Sequence, residues 1–290
     1  MPRVVLVTGC SHGGIGYALQ VSSSYTVVVL LNHSASCEQF VVEGCQVYAT
    51  ARRLESMTDL AGPQVVLKTL DITNTADVHR VVEEIISEAG RIDIVVNNAG
   101  KVGIGPLIEQ TVENVQAVLD ANTTGAFRVA QAAFPHMAKR KSGVIVNIGS
   151  VVGDTPVPWN GLYSASKAAQ HMMSRILTME LSPFNIHVLN VMPGAVRSNI
   201  AANGGAEFSL SPNSLYGAYL PDILRRLHAS QSPVSMPTAV FAQRVVKAAL
   251  KKNPPTELIL GGNALVFKLM RWMPFAFVRW FFWRMFSKKK

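Results

Sequence analysis

Short apolar runs alternate with amphipathic stretches along most of the chain. Residues 4–7, 45–50, 65–70, 92–96, 144–148, 186–191 and 257–260 are compact hydrophobic segments, and each predicts a buried strand. Between them, residues 75–89, 115–137, a segment opening at Tyr163, and 238–251 carry the spacing or composition of helices. This order suits an open α/β sheet, in which ligands bind at the carboxyl ends of the strands.

Two stretches break the pattern. The helix that begins after Gly16 should continue past Gln20, yet residues 21–37 are β-branched, serine-rich and not amphipathic. Helical character resumes at Glu38, and joining Gln20 to Glu38 restores one amphipathic helix running into the second strand. Seventeen codons preserve the reading frame, and Val21-Ser22 can be encoded by bases resembling a splice donor. The segment therefore reads as a retained short intron, with a surface loop as the alternative. The second break, residues 195–237, carries Gly204, Gly205, Pro212, Pro221, Pro233 and Pro237 and predicts a substrate lid at the ligand edge. Its Phe208, Leu210, Leu215, Tyr216, Tyr219 and Leu220 suit an apolar substrate or the packing of the lid on itself.

Charge changes the picture at the C-terminus. A chain of 290 residues suits one large domain with an appendage, here residues 1–262 followed by a tail at 263–290. The net charge of +9 is concentrated beyond residue 250, where nine Lys and Arg face a single acid, Glu257. This excludes a nucleic-acid surface spread over the fold and predicts a tail that meets something anionic. The tail is rich in Trp and Phe, but Lys268, Arg271, Arg279 and Arg284 interrupt it, and Pro274 should kink it. No charge-free run approaches the ~20 residues of a spanning helix. Lys268, Arg271 and Arg279 share one helical face, as in a helix lying in a membrane surface with Lys288, Lys289 and Lys290 on anionic headgroups, with a spanning hairpin or a dimer contact as the alternatives. Cys10, Cys37 and Cys45 are odd in number and lack metal-ligand spacing, which argues against a disulfide framework or a metal site and fits a reducing compartment. The first strand starts almost at the initiator and leaves no room for a signal peptide.

Candidate chemistry collects at the strand ends. The turn after residue 7 holds Gly9, Ser11, Gly13, Gly14, Ile15 and Gly16, placed to bring backbone N–H groups to a dinucleotide pyrophosphate. The same turn satisfies G-x-S-x-G, but Ser11 has no evident Asp/His relay downstream, which disfavours a hydrolase. Arg52, with Arg53 behind it, stands where an acid would favour NAD, and suits the 2′-phosphate of NADP. Asp71 ends the third strand near the expected adenine. Asn97, Asn98, Ala99 and Gly100 end the fourth and leave room for a ribose. Pro193 and Gly194, followed by Val196, stiffen the turn where a nicotinamide would lie. Ser150 follows the fifth strand, and Tyr163 and Lys167 stand one helical turn apart on one face. A free tyrosine titrates near a pKa of about 10. A neighbouring ammonium would draw Tyr163 toward neutrality, while Ser150 holds a carbonyl oxygen beside the phenol. Asn122 reads either as a packing residue inside its helix or as a group holding a water near Lys167.

Taken together, TGCSHGGIG at 8–16, Asp71, NNAG at 97–100, Asn122, Ser150, YSASK at 163–167 and PG at 193–194 resemble the short-chain dehydrogenase/reductase family over about residues 3–262. The resemblance implies a Rossmann-type doubly wound parallel sheet, NADPH or NADP as cofactor, and a proton relay of Asn122, Ser150, Tyr163 and Lys167. In that relay Tyr163 is the acid/base, Lys167 lowers its pKa and binds ribose, and Asn122 supports a water. It also implies cofactor contacts from Gly9, Ser11, Gly14, Ile15, Gly16, Arg52, Asp71, Asn98, Ala99, Gly100, Tyr163, Lys167, Pro193, Gly194, Val196 and Ser198, and a homo-oligomer. The cofactor turn is one residue longer than the commonest family form, and Ser198 replaces a frequent threonine. GCSHGGIG, YATARR at 48–53 and the greasy basic tail are most similar to fungal NADPH-dependent 1-acyldihydroxyacetone-phosphate reductases. The expected activity is reduction of a ketone on a lipid-like substrate, at the cytosolic face of the endoplasmic reticulum or on lipid droplets. Relatives acting on steroid, retinoid or secondary-metabolite alcohols and ketones share much of the pattern. A catalytically inactive binding protein is the other alternative, and intact Ser150, Tyr163 and Lys167 argue against it.

Overall fold

A computed structural model of the protein describes residues 1–10, 33–60, 62–197 and 208–287. All seven expected strands form: β1 Val4–Thr8, β2 Gln46–Ala51, β3 Val65–Thr69, β4 Ile94–Asn97, β5 Gly143–Ile148, β6 Ile186–Pro193 and β7 Glu257–Leu260. They make one parallel sheet in the order β3-β2-β1-β4-β5-β6-β7. The order reverses between β1 and β4, which opens a crevice at the carboxyl ends of these two strands.

Nine helices are described: α1 His33–Val42, α2 Thr75–Ala89, α3 Val112–Leu119, α4 Gly125–Arg140, α5 Gly161–Glu180, α6 Leu220–Leu227, α7 Thr238–Ala249, α8 Ala264–Met270 and α9 Phe275–Phe286. Successive residues of β1 point to opposite faces, so each face of the sheet has its own core. Val5 and Val7 pack with Cys37 and Phe40 of α1 and Phe241, Val245 and Val246 of α7. Val4 and Leu6 pack with Val78, Val81, Val82 and Ile85 of α2 and Val129, Ala133 and Met137 of α4. Covering on both faces is why the strands read as unbroken apolar runs. Helix α2 shows the local logic. The Asn74 side chain accepts from the Asp77 N–H at its start, and Gly90 in the left-handed region ends it.

Four expectations change. Helix α1 begins at His33, five residues before Glu38, and carries Ala35 and Cys37 into the core. Residues 21–32, the remainder of the suspected intron, lie outside the described residues, as do Ser11, Gly14, Ile15, Gly16, Ser198 and Lys288, Lys289 and Lys290. The helix expected over 115–137 divides into α3 and α4 at a π-helical turn, Asp120–Thr124. The lid is less irregular than its prolines suggest, because it holds α6. The tail is not a detached appendage: Pro274 splits it into α8 and α9, and Val278 and Phe282 of α9 are buried against Val151, Val152, Val157 and Met192. Arg271, expected on a membrane-facing stripe, instead pairs with Asp154 at 3.1 Å and Glu257 at 3.3 Å. Among the described residues no helix is long and apolar enough to cross a membrane.

Candidate active site

The crevice brings the end of β1 against the end of β4. Gly9 has φ +74°, and a β-carbon there would stand 2.6 Å from the Ala99 α-carbon, so only glycine permits this approach. Thr8 fastens the two segments: its hydroxyl accepts from the Asn98 and Ala99 N–H groups at 3.1 and 3.2 Å, and its carbonyl accepts from the Asn98 side chain at 2.8 Å. At the end of β2, Arg52 is exposed. Burial would raise the Asp71 carboxyl, but Thr73's hydroxyl and N–H and the Arg52 and Arg128 charges outweigh it and hold the group below its ordinary range. Gly194 donates its N–H to the Leu260 carbonyl at 2.7 Å, which pins the Pro193-Gly194 turn to β7, and Val196 bridges to Met236.

Asn122 is wholly buried in the π-helical turn, a distortion frequent at functional sites. Its Oδ1 accepts from the Lys101 N–H at 2.6 Å, and its Nδ2 donates to the Lys101 carbonyl and the Ser166 hydroxyl, both at 2.8 Å. Both amide hydrogens are thereby committed, and the side chain clamps the loop after Gly100 to α5. A β-carbon on Gly100 would sit 3.1 Å from Asn122 Oδ1 and 3.8 Å from Lys167 Nζ, so these groups meet at one point.

Ser150 and Tyr163 lie near each other. The Ser150 hydroxyl makes a polar contact with the phenol that favours its ionised form, and so does the charge of Arg226. Burial is the stronger influence and pushes Tyr163 up to about 12. Lys167 donates to the Ile148 carbonyl at 2.7 Å and to Gln170 Oε1 at 3.2 Å, with its Nζ 5.8 Å from the Tyr163 ring centroid. With no carboxylate paired to it among the described residues, burial brings this amine down to about 7. Beside Lys167, which the sequence points to, the charge of Arg226 acts on the phenol.

Sequence reasoning missed the support beneath Ser150. His171 Nε2 accepts from the Ser150 N–H at 3.2 Å, and Nδ1 faces Asp154 Oδ1 at 3.0 Å. Burial would raise Asp154, but its hydrogen bond with His171 and the Arg175 and Arg271 charges hold it at about 2. One signal was available: His171 follows Lys167 by the same helical step that separates Lys167 from Tyr163. A cavity of about 560 Å³ opens beside Lys101, with Gln110, Asn114, Phe208 and Leu210 among its walls; neither Tyr163 nor Arg226 lines it. Trp159, Tyr219 and Trp283 form an aromatic cluster that joins the lid to the tail, with ring centroids 5.3 to 6.1 Å apart.

The pattern of the short chain dehydrogenase family matches residues 3–207. A Penicillium ochrochloron protein, short-chain dehydrogenase ptmH, is 36% identical over 87% of this chain and 86% of its own. The NADPH-dependent 1-acyldihydroxyacetone phosphate reductase of Schizosaccharomyces pombe is 35% identical over 77% of this chain and 70% of its own. Among solved structures, a short-chain dehydrogenase from Streptomyces avermitilis superposes with a TM-score of 0.77 at 29% identity, covering 99% of this chain and 98% of that one.

Proposed function

The chain belongs to the short-chain dehydrogenase family and is an oxidoreductase acting between CH–OH and C=O, and from that premise we propose that it uses NADPH to reduce a ketone on a lipid-like substrate of the 1-acyldihydroxyacetone-phosphate type. The relative from Schizosaccharomyces pombe supports the cofactor and the substrate class. The crevice fits a dinucleotide: Gly9 keeps its floor open, and Arg52 offers a cation at the end of β2 for a 2′-phosphate. Asp71, Asn98, Ala99, Gly100, Lys167, Pro193, Gly194 and Val196 line the remaining strand ends. The bound nicotinamide would supply hydride.

The contact between Ser150 and Tyr163 carries this reading. Ser150 holds the ketone oxygen, and Tyr163 gives that oxygen its proton. A phenol kept protonated by burial is in the form that donates. Asn122 holds the loop and α5 in register, and with both amide hydrogens committed, any water it supports must donate to one of its oxygens. Exposed Leu265, Leu269, Trp272, Phe275 and Trp280 favour residence on the cytosolic face of the endoplasmic reticulum or on lipid droplets. Exposed Met172, Met173, Ile176 and Met179 along α5 favour a homo-oligomer. Tyr163→Phe tests the chemistry: turnover should fall at least about a hundredfold while NADPH binding, read by nicotinamide fluorescence, stays within about threefold. Retained turnover would overturn the assignment of Tyr163.

A further inference from the structure

Helix α6 of the lid turns one stripe inward, made of Asp222, Ile223, Arg226 and Leu227. Ile223 and Leu227 are buried and fix the helix to the body, and Asp222 pairs with Arg225. Arg226 is left without an acid: among the described residues it forms no ion pair, and its Nε is buried with no hydrogen-bond partner. Its guanidinium lies over the Phe286 ring, 5.5 Å from the centroid, and its charge acts on the Tyr163 phenol. The Phe286 carbonyl in turn accepts from the Trp159 indole at 2.8 Å, which joins the arginine to the Trp159, Tyr219 and Trp283 cluster, and Phe286 and Tyr163 pack against one hydrophobic cluster. A guanidinium in this position is costly unless something fills its N–H donors.

Resting on the ketone-reductase reading, we propose that Arg226 is the subsite for an anionic group on the substrate, a phosphate ester, with the substrate's apolar chain along Trp159, Tyr219 and Trp283. Arginine matches this chemistry because its planar fork meets phosphate oxygens in pairs. Stacking on Phe286 fixes the plane of the fork before substrate arrives, so little rotamer freedom remains to be lost on binding. The same placement aligns the reaction: an anion held by α6 sets the distance from the phosphate to the carbonyl that reaches Ser150 and Tyr163.

The test uses three short-chain ketones: hexanoyl-dihydroxyacetone phosphate, unphosphorylated hexanoyl-dihydroxyacetone, and a matched ketone bearing a carboxylate. The readout is the ratio of kcat/KM between them, which cancels any loss of folded enzyme in a variant. The wild type should prefer the phosphate ester, and Arg226→Gln should lower the phosphate-to-neutral ratio by about 30-fold, within the range for hydrogen bonds to charged groups. Arg226→Lys should restore part of it. An unchanged ratio in Arg226→Gln overturns the proposal, and so does a wild type that prefers the neutral or the carboxylate ketone. Binding of hexanoyl-glycerol 3-phosphate against hexanoyl-glycerol, followed by tryptophan fluorescence under saturating NADP, separates this inference from the reductase reading. If no ketone is reduced yet the phosphate product binds more tightly and loses that advantage in Arg226→Gln, the subsite stands and the reductase reading falls. If all three ketones are reduced alike, the reverse holds.

Discussion

Burial drives two ionisable groups on one face of α5 in opposite chemical directions. Tyr163 is pushed up to about 12 and stays a phenol, while Lys167 is brought down to about 7 and gives up its charge readily. Linkage makes this measurable. Between about pH 7 and about pH 10 the unfolded chain keeps the Lys167 proton that the folded chain has released, so stability rises with pH across that window. Tyr163 contributes the opposite slope, but only above about pH 10. We therefore expect the wild type to gain on Lys167→Met by a few kcal/mol, on the order of the linkage between those pH values, in urea unfolding at pH 7 and pH 10. Parallel behaviour of the two proteins would mean that the amine is not desolvated. The spacing of Tyr163 and Lys167 was legible because four positions on a helix fix a shared face. Arg226 was not, because nothing local in the chain says that a lid helix far along the sequence returns its cation to the same phenol.

At the scale of elements, the strands and α2 could be read closely because burial on two faces and a capped amphipathic helix both leave periodic traces. The π-helical turn escaped because one extra residue barely disturbs a helical pattern, although it marks where Asn122 is taken out of register to clamp Lys101 and Ser166. Helix α6 hid behind Pro221, which reads as a breaker yet is compatible with a first turn. The tail was half legible. Apolar spacing foretells that α9 buries one face, but hydrophobicity has no direction and does not say whether that face meets lipid or protein. Phe282 settles it for one side: it is 1% exposed, between Val151, Val152 and the stacked Phe267 ring. Phe282→Ala should cost about 3–5 kcal/mol of unfolding free energy and lower turnover, since Tyr163 packs on the same cluster. A loss below about 1 kcal/mol would show that α9 is loosely attached and bears little on the site.

For the whole molecule, the two sides of the tail present different surfaces. The inner side is core, continuous with the floor of the active site. The outer side presents Trp272 at 81%, Leu265 at 76%, Phe275 at 66% and Trp280 at 52% exposure, beside exposed Lys268 and Arg279. Water tolerates single exposed apolar side chains, but a contiguous set with cations along it is the composition of an interfacial segment. With nearly all of the net charge of +9 beyond residue 250, the basic end of the molecule should turn toward anionic lipid. A lid and an aromatic wall beside that end would then receive an acyl chain from the bilayer without its crossing water. The triple variant Trp272→Ser, Phe275→Ser, Trp280→Ser separates the two sides. It should lose co-sedimentation with phosphatidylserine-containing vesicles by about tenfold or more, while its melting temperature and its turnover of a short soluble ketone stay near those of the wild type. High salt should weaken wild-type binding, because headgroup attraction falls off within a Debye length of about 8 Å at physiological ionic strength. Vesicle binding undiminished in the triple variant would move the membrane contact to another surface and leave the outer face of α8 and α9 for a second protein.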